Sequence, residues 1–282
     1  MWLTLLVARH FYDQEEYEEA DGYYRSALDR DNKFVAGYLY RGRNFYRQNK
    51  FREAQEMLAK AVELDPLSSK AHNFLAVTLR RLNEYGRALD HHERATKFEP
   101  QSPYEYNAFA YTISEARRMG WKGPKYSLSK AREYLRHSEE LFGARKVDYA
   151  YILEHTRGAI ELAEQARPSA IQCFWLALNS IDGTDSRDMM PKKREEKRLE
   201  AIYHLGVAHH DMDNRFHRAA WDFFDKSLKS PEIQDRQRLP YYWFTDANER
   251  MQKIAEAIGL ESGHQGERCA ADCCQGKYPE NW

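Results

Sequence analysis

Two consecutive stretches, 35–68 and 69–102, repeat one pattern with a period of 34 residues. Gly42 aligns with Ala76, Phe45 with Leu79, Asn49 with Asn83, and Phe51 with Tyr85. Ala54 aligns with Ala88, Leu58 with His92, Ala61 with Ala95, and Pro66 with Pro100. One period earlier, Ala8, Phe11, Tyr17, Ala20, Tyr24 and Ala27 fill the same positions. A unit this short cannot bury its own apolar stripe. Neighbouring units must therefore stack and lend each other the missing wall.

The order within each copy has a physical reading. Two antiparallel helices pack closely when one side chain at each crossing is small, and Gly42, Ala54, Ala76 and Ala88 meet that need. Phe45, Leu58 and Leu79 fill the space between ridges. Asn49 and Asn83 mark the reversal between helices, because Asn tolerates the left-handed backbone of a helix C-terminus. Pro66 and Pro100 stop the second helix, since Pro lacks an N–H and clashes with the preceding turn. This constellation resembles the tetratricopeptide repeat (TPR) family, whose signature is small, aromatic and proline residues at these positions.

The resemblance implies an all-α fold: a right-handed superhelical solenoid of antiparallel helix pairs, about six repeats plus a C-terminal capping helix. The expected repeats are 1–34, 35–68, 69–102, 103–143, 147–181 and 194–231, with a cap helix at 241–258 and a Cys-containing tail at 259–282. In the fourth repeat the register slips around Arg117 to Ser127, where Gly120, Gly123 and Pro124 predict a loop between its two helices. Ser127 to Phe142 reads as the helix after that loop, capped by Gly143. Gly158 is the small residue of the fifth repeat, and Pro168 opens its second helix. Asp182 to Lys193 is polar and irregular and reads as a long loop.

Charge is dense but balanced, with 43 basic and 44 acidic residues, so a global nucleic-acid footprint is absent. Cys173 reads as a small buried hydrophobe, and so few cysteines favour a reducing, cytoplasmic setting. Met1 to Ala8 lacks a basic leader and cleavage site and reads as the first helix of the first repeat. No apolar run is long enough for a membrane span. Trp2, Leu3, Leu5 and Leu6 make this end unusually apolar, which points to a covering partner, a larger assembly, or a longer protein.

Catalytic motifs are missing: no phosphate-binding glycine loop, no nucleophile elbow, no paired-histidine zinc signature. His91-His92 and His209-His210 are adjacent pairs whose members diverge by about 100° on a helix, so they do not converge on a metal. In the tail, His264, Cys269, Cys273 and Cys274 form the one metal-like cluster, but without a C-x-x-C knuckle. Neither metal nor cofactor is expected. Lys192, Lys193, Arg194, Lys197 and Arg198 interleave with Glu195, Glu196 and Glu200 as a solvated helix start.

The family resemblance further implies that the second, fifth, ninth and twelfth positions of each first helix line a concave groove. Here these include Arg9, Tyr12, Arg43, Tyr46, Lys70, Asn73, Arg80, Tyr104, Asn107 and Tyr111. Stacked Asn73 and Asn107 can serve the backbone of an extended peptide, and Arg and Tyr can hold carboxylates or stack on rings. A chaperone-tail clamp of the family kind does not fit, because only Lys70 keeps its residue type among Leu5, Arg9, Tyr40, Lys70 and Phe74. The sequence therefore favours a non-enzymatic scaffold or adaptor that binds a peptide or protein segment. A ligand-responsive sensor, gated by the 117–127 and 182–193 loops, is the alternative, and an RNA-associated solenoid the second.

Overall fold

The computed structural model describes residues 1–183, 191–210 and 217–228, with positions 247, 249–251, 253 and 254 beyond them. The described residues form helices and the turns and loops between them, with no strand among them. They group into two compact units, 1–141 and 142–282.

The first unit is a run of helical hairpins. Helices α1 (Trp2–Asp13) and α2 (Tyr17–Arg30) form one, α3 (Val35–Arg47) and α4 (Phe51–Leu64) the next. Then come α5 (Ser69–Arg81) with α6 (Tyr85–Phe98), and α7 (Pro103–Arg118) with α8 (Leu128–Phe142). In the first three hairpins the two helices pack on each other, and α3, α5 and α7 each pack on the second helix of the hairpin before. In the second unit a short 3-10 turn, Gly143–Val147, precedes α9 (Ala150–Ala163) and α10 (Arg167–Gly183). Helices α11 (Pro191–His210) and α12 (His217–Leu228) follow.

The small positions sit where helices cross. A Cβ on Gly42 would lie 2.6 Å from Leu58 Cγ, and one on Gly158 or Gly206 would lie 2.7 Å from Phe174 or Phe224. Ala54, Ala76 and Ala88 are fully buried. Asn49 and Asn83 hold φ of 59° and 60°, the left-handed turn their positions demanded. Glu15 and Gln165 adopt the same conformation at the matching turns, so geometry overrides residue preference there. α4 and α6 end at Leu64 and Phe98, two residues ahead of Pro66 and Pro100. Between hairpins, Asp31 and Asp65 each accept a hydrogen bond from the backbone N–H two residues on, at 2.9 and 3.2 Å.

Three expectations change. Arg117 and Arg118 belong to α7, so the insertion is 119–127. The polar stretch 182–193 is not loop throughout. Residues 182 and 183 complete α10, and α11 begins at Pro191, where fixed φ and a missing N–H suit a first helical turn. The start of α11 is not wholly solvated either: Lys197 pairs with Glu200 at 2.6 Å, and only 13% of the Glu200 side chain is exposed. Burial opposes charge on Glu200, but Lys197, His155 and His204 outweigh it and hold its carboxyl well below the usual range. Residues 184–190, Phe216, Pro231, most of 241–258, and the tail with His264, Cys269, Cys273 and Cys274 lie outside the described residues. Ala247 and Ile254 are described, and both are buried in the second unit's core beside Phe223 and Phe224.

Candidate functional site

In the first unit the first helices of successive hairpins touch one another, α3 with α5 and α5 with α7. Side chains on that line meet across repeats. Arg43 of α3 is the centre. Its guanidinium lies 5.5 Å from the ring of Tyr12 on α1, 5.5 Å from Tyr40, and 4.5 Å from Phe74 on α5. Its Nε is buried with no hydrogen-bond partner. Among the described residues it is flanked by three rings and ion-pairs with no carboxylate, so ring faces stabilise its charge.

The next arginine on the line is different. Arg80 is 8% exposed and donates to Glu115 of α7, while its guanidinium stacks 4.9 Å from the Tyr111 ring. Burial opposes charge on Glu115, but Arg80 and Arg81 overcome it and hold the carboxyl ionised. The Arg80 charge is thus neutralised from within, and Arg80 acts as a wall of the groove. Tyr46 also takes an internal partner: Arg81 Nε donates to its hydroxyl at 3.0 Å.

Asn73 and Asn107, one period apart on α5 and α7, are partly exposed. Each keeps a shielded amide oxygen without a hydrogen-bond partner. A buried acceptor left unmet costs about 1–3 kcal/mol, so this line carries unused hydrogen-bonding capacity. Lys70 and Tyr104 are exposed near the starts of α5 and α7. Arg9 is exposed and pairs loosely with Asp13 at 3.7 Å. The structure thus gathers Tyr12 with Arg43, and Arg80 with Tyr111. It leaves Arg9 outside that cluster.

Sequence reasoning missed Tyr40 and Phe74 as partners of Arg43. Their signal was present: they occupy the same position of consecutive copies, three residues before the ninth. Glu115 and Arg81 left none, because their partners lie 35 residues away.

The 119–127 insertion is pinned. Arg117 donates to the carbonyls of Trp121, Gly123 and Tyr126 at 3.2, 2.7 and 2.9 Å. Tyr126 is buried, and its hydroxyl bonds Glu93 of α6 at 3.1 Å. His91 and His92 are packing residues. His92 is fully buried on Thr112 at 2.9 Å, and His91 meets His72 at 2.8 Å. Among the described residues no cluster could hold a metal ion, and no helix is long and apolar enough to cross a membrane.

Comparison with known proteins fits this architecture. A family model for the tetratricopeptide repeat matches residues 39–103. A chain from the APC/C hetero-tetramer Cut9–Hcn1 aligns with TM-score 0.61 and 19% identity over 89% of this chain. This chain spans 41% of that one. A thermophilic TPR protein of Thermus thermophilus aligns with TM-score 0.55 and 17% identity over 80% of this chain and 100% of its own. PilW, a type IV pilus biogenesis factor, aligns with TM-score 0.54 and 15% identity over 83% of this chain and 96% of its own. At such identities the likeness is one of fold. A search of curated protein sequences returns no match.

Proposed function

We propose that this chain, a tetratricopeptide repeat protein, is a non-enzymatic interaction scaffold that holds an extended peptide or partner segment along α1, α3, α5 and α7. The observation that carries this reading is Arg43, set among Tyr12, Tyr40 and Phe74 with no carboxylate paired to it among the described residues. A partner carboxylate arriving there gains a charge-assisted bond to a guanidinium already oriented by its rings. Asn73 and Asn107 would serve the partner's backbone, and Lys70, Tyr104 and Tyr46 its flanks. The fold neighbours support the reading in kind, since one of them is a subunit chain of an assembly. The six-repeat division with a cap helix, a cytoplasmic setting, and a second docking role for Trp2, Leu3, Leu5 and Leu6 belong to the same proposal. Trp2, Leu3 and Leu6 are 66%, 75% and 62% exposed, whereas Leu5 faces inward at 6%. The pinned insertion speaks against the gated-sensor alternative.

The test uses peptides selected from a random library against the full chain. Asn73→Ala with Asn107→Ala, and separately Arg43→Met, should each weaken the selected peptides about tenfold or more, the scale of one or two lost polar contacts. Circular dichroism should stay unchanged. Unaltered affinity in both variants rejects the groove.

A further inference from the structure

In the second copy the third position faces the hairpin before it. In the second and third copies it holds Gly37 and Ala71, both buried. A Cβ on Gly37 would already lie 2.7 Å from Leu28. In the fourth copy the same position is Glu105, 5% exposed on the first turn of α7. Its Oε2 is buried with no hydrogen-bond partner. A carboxylate placed at a helix seam without a partner is costly, whereas the protonated acid is far less so.

The surrounding charges offer little relief. Glu99, at the end of α6, is of like sign, and Lys70, on α5, is the opposing charge. On α8, Ser138 donates to the Pro103 carbonyl at 2.8 Å. Next to it His137 stands edge-on to Tyr106 and lies 3.5 Å from Glu140. We propose that Glu105 is a proton-operated latch: as the neutral acid it lets α7 seat against α5 and α6, and on ionisation it loosens that seam. Burial, then Glu99, push its carboxyl up to about 7, while Lys70 pulls the other way. The folded chain therefore holds a proton that the unfolded chain releases near 4.3. The contribution of Glu105 to the seam is complete below that lower value and is lost as pH rises through neutrality. Tyr104 and Asn107 share the same stretch of α7, so the latch borders the groove.

The experiment is thermal unfolding of the full chain from pH 5 to 8.5, wild type against Glu105→Gln. The variant keeps the size of the acid and cannot ionise. Subtracting the two curves cancels every other titrating group. The Tm of E105Q should exceed that of wild type by an amount that grows on the order of 5 °C between pH 5 and 8. Glu99→Gln and Lys70→Met alter exposed neighbours, and should move the midpoint of that difference down and up in pH respectively. A difference curve flat with pH overturns the latch, as does a midpoint that neither neighbour moves.

Discussion

At the scale of single residues, the ion pair between Arg80 and Glu115 shows how charge is used inside this protein. Both side chains are nearly buried, at 8% and 11% exposure. A buried pair contributes little net stability, yet losing one member strands the other charge. Glu115→Gln should therefore destabilise the fold by about 3–5 kcal/mol in chemical denaturation. The joint change of Arg80→Met and Glu115→Leu should return most of that loss, because no charge is then left unpaired. If the single and joint variants are equally unstable, the pair is not the source of the effect. This pair was illegible in the sequence. Arg80 could be read as a groove residue from its repeat position, but its partner sits 35 residues on, in a copy whose pattern has slipped. Glu105 escaped notice for a related reason: a repeat pattern states which residue type is usual at a position, not which departure is consequential.

Among elements, the turns were the most legible part of the fold, because each depends on local backbone geometry alone. Asn49 and Asn83 advertise a left-handed residue; Gln165 does not, yet its φ is 63°. A residue with a Cβ in that region costs about 1–2 kcal/mol where glycine is at ease. Gln165 is exposed, so its side chain has little packing to lose. Gln165→Gly should raise the Tm by about 2–4 °C, read by thermal unfolding, since it relieves strain at one α9–α10 turn. An unchanged or lowered Tm would mean the extra chain entropy of glycine outweighs the relief. The start of α11 was misread for an equally physical reason. Pro191 and the lysines after it look like loop chemistry, and only the elements around them reveal that the proline opens a helix.

For the molecule as a whole, protons bound and released in the first unit set a stability window. His92 donates from Nε2 to Thr112, whose hydroxyl donates in turn to the Ala108 carbonyl. That arrangement fixes a neutral imidazole and leaves Nδ1 buried without a partner. Burial, then Arg80 and His91, push its pKa down to about 3. His72 bonds the Pro66 carbonyl through Nε2, so its Nδ1 must accept from His91, and that pair too is neutral. Burial, then His72, push His91 down to about 4. In the second unit, burial pushes His209 down to about 4. Each of these groups has a folded pKa below its unfolded value near 6.5. The stability they confer is complete above that value and lost as pH falls through their folded values. For His92 the loss is about 1.4 kcal/mol per pH unit between 6.5 and its folded value of about 3. Three of the four lie in residues 1–141, whereas the second unit keeps Glu200 ionised far into acid. Hydrogen exchange corrected for intrinsic rate should therefore show α5, α6 and α7 losing protection at higher pH than α9, α10 and α11 on acidification. His92→Gln, which retains a donor for Thr112 but cannot take up the proton, should move that loss to lower pH. Simultaneous loss of protection in both units, unmoved by H92Q, would show that the buried imidazoles do not govern the acid limit.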